Sequence, residues 1–213
     1  MKHGSSFHAG ALLAKLSEGR TPTTFQNDQA IYAQGEGTKS AFCVISGLIK
    51  ISILSPQGRE GVIALLRRGD FLGEECLTGH PTYLSSATAL GECMVLEVST
   101  DVLLDGLKAD PNFVKILVNY LVERKLQAEE FLGDQLFYSS EQRLARCLIL
   151  LANVQEVEKA SITIPKLSHE MLADMVGTTR SRVTFFMNKF RQEGWIHYDG
   201  QLTINRSLFT AFP

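Results

Sequence analysis

The stretch VGTTRSRV, residues 176–183, decides how the last third of this 213-residue chain folds. Gly177 interrupts an apolar helical pattern, and Thr179 is a preferred N-cap residue for the helix that follows. That second helix places apolar residues at i, i+3, i+4 and i+7, namely Val183, Phe186, Met187 and Phe190. The spacing predicts two short helices joined by a tight turn, with one face of the second helix buried.

The sequence on either side of this stretch extends the two helices into a winged helix-turn-helix. Upstream, Ser168 is the predicted N-cap of the first helix, and Glu170 lies in its first turn, where the helix dipole favours an acid. Downstream, Gly194 ends the second helix, and two short strand-like runs flank Asp199-Gly200. Because Asp-Gly between such runs is a strong signal for a two-residue turn, they predict a β-hairpin, which forms the wing.

Polar and basic residues are concentrated on the exposed face of the second helix. In a helix-turn-helix, the start of this helix approaches base edges in the major groove, where Arg can bind guanine through two hydrogen bonds. Hydroxyl groups at helix starts suit phosphate oxygens. We therefore predict an interface for double-stranded DNA that comprises Ser168, His169, Thr179, Arg180, Ser181, Arg182, Thr184, Asn188 and Lys189.

The charge distribution favours this interface over the alternative that Arg180 and Arg182 are ordinary solvated arginines. The formal net charge is −2, but residues 166–213 hold six Lys and Arg against four Asp and Glu, so this segment carries +2 and the remainder −4. The order of helix, glycine turn, basic helix and hairpin also favours DNA binding. Phe185 is open to two interpretations: packing on the wing, which we favour, or contact with a thymine methyl group.

Residues 29–98 predict a β domain. Short runs rich in Val, Ile, Leu and Ala alternate with Gly or Pro about every 8–12 residues, which is typical of a β roll, sandwich or barrel. These runs are residues 30–32, 41–45, 48–54, 62–66, 86–90 and 94–98. Ser55-Pro56-Gln57-Gly58 predicts a hairpin turn between two of them, with Gly58 at positive φ.

From Pro111 onward the apolar pattern becomes helical and predicts one long helix, followed by a second that Ser140 would cap. The apolar stripe of the long helix has the a/d spacing of a helix that pairs with a second chain, although packing on its own β domain is the alternative. The predicted dimer-helix residues are Phe113, Leu117, Tyr120, Leu121, Arg124, Ala128 and Phe131.

The predicted architecture is therefore α+β with three regions. They are a β-roll sensor domain at residues 1–110, a long dimerisation helix at residues 111–138, and a winged helix-turn-helix domain at residues 139–213.

Taken together, these regions resemble the CRP/FNR family of bacterial transcription regulators over nearly the whole chain. The matching residues are Gly35 and Gly47 in early turns, RGDFLGE at residues 68–74, Arg143 after the long helix, and VGTTRSRV. The resemblance implies a cyclic-nucleotide-binding-like jelly roll and a homodimer that binds a near-palindromic operator. RNA polymerase is a further candidate partner.

The resemblance also implies an effector pocket at the junction of the β-roll and the long helix. In cyclic-nucleotide-binding members, a Gly-Glu pair cradles phosphate and ribose, and an Arg-Ser pair ten residues later neutralises the phosphate. Gly73 and Glu74 match the first pair, but Leu84 and Ser85 stand at the second. Because a buried phosphate needs a compensating cation, the leucine disfavours the usual binding of cyclic AMP.

Two further positions bear on this pocket. The pair that reads adenine in the family's catabolite activator falls at Ala128-Glu129, so its hydrogen bonds are lost. Arg124 matches a family arginine near the ligand, and it either pairs with Glu74 or serves as a relocated cation for cyclic AMP. The predicted pocket residues are Gly73, Glu74, Leu84, Ser85, Arg124 and Ala128. A small-molecule effector is expected, with a rearranged cyclic AMP site as the alternative.

Other classes of protein find little support in the sequence. The first cysteine is Cys43, so the clustered N-terminal cysteines of an iron–sulfur sensor are absent. No His-x-His or nucleophile–His pattern indicates a metal site or an enzyme. No apolar run is long enough to span a bilayer, and we expect a cytoplasmic protein with reduced cysteines. A nucleotide-gated protein-interaction module is the remaining alternative to a DNA-binding regulator.

Overall fold

The computed structural model of the protein describes residues 22–153, 161–164 and 167–212. The chain forms two compact units that divide inside the long helix, between Ala128 and Glu129. The first unit is built on an antiparallel sheet, and the second is mostly helical with a small sheet of its own. This is the α+β architecture that the sequence predicts.

The first unit is a β-roll followed by helices. Its strands are β1 (Thr23–Phe25), β2 (Ala30–Tyr32), β3 (Ser40–Leu54), β4 (Glu60–Leu66), β5 (Phe71–Leu72) and β6 (Ser86–Ser99), with a 3-10 helix at Glu74–Thr78. The strands pair in the order β1-β6-β3-β4, while β2 also pairs with β6 and β5 with β3. Helix α1 (Thr100–Ala109), which the sequence pattern does not predict, leads into the long helix α2 (Pro111–Phe137).

Strand β3 joins two apolar runs that the sequence pattern separates at Gly47. The pairing of β3 with β6 shifts register between Val44 and Leu48, so Gly47 lies in a bulge within a continuous strand. Gly47 has φ +91°, and a Cβ at this position would lie 2.6 Å from the Cys93 sulfur. Only glycine therefore fits here, and its presence marks a bulge in the sheet where the sequence indicates a chain reversal.

Both faces of β3 are buried over its first five residues, 40–44. Successive side chains along a strand point to opposite faces, so each face contributes to a different cluster. Phe42 and Val44 point into a cluster inside the roll, whereas Ala41 and Cys43 join a second cluster that includes Phe113 and Tyr120 of α2. The helices of this unit therefore cover the outer face of the sheet. The cysteines described are all free, as the sequence predicts.

The burial of α2 corrects the predicted dimer stripe. Phe113, Leu117 and Tyr120 are all buried, so they do not form an exposed seam. Phe113 and Tyr120 pack in one cluster with residues of the sheet and of α1. The exposed apolar residues on this part of α2 are Val114, Val118, Leu121, Val122 and Leu126. The apolar stripe that the sequence predicts for dimerisation is thus, in part, the face that holds the helix on its own roll.

The second unit contains the predicted helix-turn-helix and hairpin. Its elements are α3 (Ser140–Asn153), β7 (Ser161–Ile164), α4 (His169–Val176), α5 (Arg180–Gln192), β8 (Ile196–Asp199), β9 (Gln201–Asn205) and α6 (Ser207–Ala211). The sequence pattern does not predict β7 and α6. The hairpin turns at Gly200, and β7 pairs with β9 to complete a three-stranded sheet in the order β7-β9-β8.

The predicted cap of α3 is wrong by one residue. The Ser139 hydroxyl accepts a hydrogen bond from the Gln142 backbone N–H, at 3.3 Å, and the Gln142 side chain accepts one from the Ser139 backbone N–H, at 2.9 Å. This reciprocal arrangement is a capping box, and Ser140 is instead buried as the first helical residue.

Candidate functional site

The two helices of the helix-turn-helix begin at side-chain caps, as the sequence predicts. The Ser168 hydroxyl accepts a hydrogen bond from the Met171 N–H, at 3.1 Å, and the Thr179 hydroxyl accepts one from the Arg182 N–H, at 3.4 Å. Gly177 ends α4 at φ +67°, a left-handed conformation that few other residues adopt without strain. These local interactions set where α5 starts, and so which residues fall in its first turn.

Arg143 of α3 holds the turn between α4 and α5 in place. Its Nε donates to the Val176 carbonyl at 2.9 Å, and its Nη1 donates to the Tyr138 carbonyl at 2.8 Å, with weaker contacts to the Gln135 and Gly177 carbonyls. The guanidinium therefore lies between the carboxyl ends of α2 and α4, where the helix dipoles favour a cation. From the sequence alone Arg143 is recognised only as a family match, because these partners lie on other elements.

The buried face of α5 contains the four apolar residues that the sequence predicts, Val183, Phe186, Met187 and Phe190. The opposite face is exposed and carries Arg180, Ser181, Arg182, Phe185 and Asn188. Phe185 is 65% exposed, and its ring meets that of Phe186 edge to face, at 5.7 Å between centroids. The expectation that Phe185 packs on the wing is therefore wrong.

Several of the predicted DNA-binding residues contact one another. The Thr184 hydroxyl donates to the Arg180 carbonyl, at 3.0 Å, and lies 2.8 Å from the His169 Nδ1. Since the hydroxyl has only one hydrogen to donate, Nδ1 is the donor in the second bond. This chain of bonds joins α4 to α5 and brings His169, Thr184 and Arg180 together.

Lys189 lies apart from this group. Its ammonium is 2.8 Å from the Glu141 carboxylate on α3, and this hydrogen bond raises the pKa of the lysine. Arg182 remains exposed, with its guanidinium carbon 5.9 Å from the centre of the Phe186 ring. The positive charge available at the start of α5 therefore comes from Arg180 and Arg182 more than from Lys189.

The first unit contains a cavity of about 190 Å³. Its lining residues are Tyr32, Ile51, Ile53, Ile63, Leu66, Leu72, Glu74, Glu75, Leu84, Ser85 and Arg124. Of the predicted pocket residues, Glu74, Leu84, Ser85 and Arg124 are thus brought together. Gly73 precedes Glu74 as the N-cap of the 3-10 helix, and Ala128 is exposed and is not part of the lining.

Two of the three charged residues that line this cavity, Glu74 and Glu75, are acidic, and the third is Arg124. Burial raises the pKa of Glu74, while a backbone hydrogen bond and the nearby charge of Arg124 lower it. The described structure shows no direct ion pair between Arg124 and Glu74. The Arg124 Nε and one oxygen of Glu75, Oε2, are both buried without a hydrogen-bond partner. Arg124 and Glu75, which both line the cavity, therefore each have one buried polar atom that is unsatisfied within the described residues.

Known protein families match both the unit that contains the cavity and the unit that contains the helix-turn-helix. The family model of the cyclic nucleotide-binding domain matches residues 22–110, and that of the Crp-like helix-turn-helix domain matches residues 142–207. The first match ends before the long helix α2 begins, and the second starts after α2 ends. The chain belongs to the CRP/FNR family.

Relatives of this CRP/FNR protein are transcription regulators. The chain is 28% identical over 192 residues to a CRP-like cAMP-activated global transcriptional regulator of Mycobacterium tuberculosis, a match that covers 89% of this chain and 85% of that protein. It is 28% identical over 190 residues to a global nitrogen regulator of Nostoc, with 87% and 85% covered. The fold matches FixK2 from Bradyrhizobium japonicum with a TM-score of 0.79 at 20% identity, covering 90% and 96% of the two chains.

This CRP/FNR protein is therefore a DNA-binding transcription regulator with a cyclic nucleotide-binding type of domain, and its relatives are regulators and not enzymes. Within the described ranges, none of its helices combines the length and apolarity needed to span a bilayer.

Proposed function

We propose that this protein is a homodimeric, sequence-specific DNA-binding regulator controlled by a small effector, other than cyclic AMP, in the β-roll cavity. The observation that carries the proposal is the exposed face of α5, which presents Arg180, Ser181 and Arg182 in the first turn of a capped helix-turn-helix. Such a face fits the major groove, and its cations match the phosphate charge.

The proposed dimer rests on α2. Val114, Val118 and Leu121 are exposed at spacings of four and three residues, and Lys125 and Ala128 continue the same spacing. Alternating steps of four and three residues are the pattern of a two-stranded coiled coil. A second copy of this chain is the occupant that such a seam fits, and a two-fold dimer would present two recognition helices to a near-palindromic operator.

The DNA-binding proposal is tested with genomic fragments selected by the purified protein and then remeasured individually. We expect affinity that falls steeply as salt rises, because each phosphate contact releases counterions. A weak salt dependence, or no preference among fragments, would instead support the alternative of a protein-interaction module.

The dimer proposal is tested with two matched substitutions on α2. Val118 and Leu126 are 51% and 52% exposed, but only Val118 lies on the proposed seam. We expect Val118→Glu to yield monomers in analytical ultracentrifugation and to weaken operator binding, whereas Leu126→Glu should leave the dimer intact. Equal behaviour of the two variants would contradict a seam at Val118.

The effector proposal rests on the residue at the usual phosphate-binding position. Leu84 stands there, and its hydrocarbon side chain offers no charge to a phosphate. The cavity also contains two acidic residues, Glu74 and Glu75, and its volume of about 190 Å³ lies below the ~300–1,000 Å³ of most ligand pockets. A smaller molecule that supplies an acceptor to Arg124 and a donor to Glu75 would satisfy the unpartnered groups.

Calorimetry with cyclic AMP distinguishes the two candidate effector classes. We expect no binding to the wild-type protein and measurable binding to Leu84→Arg, which restores a cation at the phosphate position. Tight binding to the wild type that is lost in Arg124→Gln would support the alternative, a cyclic AMP site rearranged around Arg124.

A further inference from the structure

We infer that Phe185 is a specificity-determining residue that contacts the 5-methyl group of a thymine in the major groove. The inference rests on the proposed DNA-binding function and adds the base that the centre of the recognition helix would recognise. It follows from the position of Phe185 on α5 and from the exposure of its ring.

Phe185 lies near the middle of the exposed face of α5. An α-helix advances about 100° per residue, so residues spaced by three, four or seven positions share one face. Ser181, Phe185 and Asn188 follow this spacing and lie opposite the buried residues Val183 and Phe190. Arg180 and Arg182 fall on the two flanks of this line.

The exposure of the Phe185 ring indicates that it serves an interface. The ring is 65% exposed, and its edge contact with Phe186 leaves most of its apolar surface in water. The core of the second unit is formed without it, since Phe186, Met187 and Phe190 fill the buried side of the helix. Covering such a ring with an apolar partner is favourable in proportion to the area removed from water.

The major groove offers one apolar group to such a ring, the 5-methyl of thymine. The flanking arginines supply the attraction to phosphate that brings this face to DNA. Asn188, one turn further along, has the amide that pairs with the edge of adenine. A half-site with thymine opposite Phe185 is therefore the sequence this surface fits.

The inference is tested by replacing each thymine of a selected operator half-site with deoxyuridine, which removes only the methyl group. We expect one position at which this change weakens binding of the wild-type protein about fourfold. This factor corresponds to the free energy of burying one CH₂-sized group. The same change should not affect Phe185→Ala, which should already bind the thymine site more weakly. Asn188→Ala serves as the matched control and should retain the sensitivity to deoxyuridine at that position.

Two results would overturn the inference while leaving the DNA-binding proposal intact. One is operator binding that is unaffected by deoxyuridine at every thymine. The other is a sensitivity that persists unchanged in Phe185→Ala, since another residue would then contact the methyl group. Failure of the proposed function itself looks different, because the wild-type protein would then select no DNA.

Discussion

The Tyr120 hydroxyl bonds to both backbone groups of Phe71. It accepts a hydrogen bond from the Phe71 N–H at 2.9 Å and donates one to the Phe71 carbonyl at 2.6 Å. The two rings also meet edge to face, at 5.8 Å between centroids. Tyr120 thereby joins α2 to β5. Strand β5 ends two residues before Glu74, the cavity residue that begins the 3-10 helix.

Removal of this hydroxyl should destabilise the first unit. We expect Tyr120→Phe to lower the free energy of unfolding by about 1–3 kcal/mol, because buried backbone groups lose a partner while the ring remains. Urea denaturation of the full-length protein measures the change. Tyr198→Phe is the control, since Tyr198 is half exposed in the wing, and an equal loss in both variants would contradict a special role for Tyr120.

Arg143 should be required for both the stability and the DNA affinity of the second unit. We expect Arg143→Met to cost about 1.5–3 kcal/mol and to weaken operator binding, since carbonyls at the turn before α5 lose their donor. Arg143→Lys should recover only part of each loss, because an ammonium cannot reproduce the planar fork that reaches Val176 and Tyr138 together. Full recovery with lysine would show that the charge alone matters.

Arg180 and Lys189 should differ in their effects on DNA binding. The Arg180 side chain is exposed at the start of α5, whereas Lys189 is paired with Glu141. We expect Arg180→Ala to cost about 1–3 kcal/mol and to relax the base preference at one operator position. Lys189→Ala should cause a smaller loss, equal on all sequences. A uniform loss for Arg180→Ala would assign it to phosphate instead.

The pH dependence of stability should carry a contribution from Glu74. Burial raises the pKa of this carboxyl above its usual value of 4.5, so the folded state binds more protons than the unfolded state between the two values. The stabilising contribution is therefore complete at low pH and is lost as the pH rises through the raised pKa.

Glu74→Gln should remove this contribution. We expect the variant to gain stability over the wild type as the pH rises above the usual glutamate pKa of 4.5, with the smallest difference at the acidic end. Urea titrations of both proteins across this range measure the difference. Burial also raises the pKa of Asp70, but Asp70 is present in both proteins, so its contribution cancels in the comparison. A difference that does not change with pH would contradict the prediction.

Much of the second unit is predictable because its signals are local. The N-caps at Ser168 and Thr179, the turn at Gly177 and the apolar spacing from Val183 to Phe190 each act over a few residues. The cavity in the first unit is harder to predict. Residues such as Tyr32 and Glu75 line it only because strands distant in sequence pair in one sheet.

The sequence by itself determined the helix-turn-helix and its hairpin, the start of the second helix, and a leucine at residue 84, where the family resemblance implies an arginine. Only the tertiary structure decided which face of each element is covered. It buries Phe113 and Tyr120 against their own sheet, leaves Phe185 exposed and pairs Lys189 with Glu141. The physical reason is that periodicity identifies an apolar stripe, whereas burial depends on partners that other parts of the chain supply.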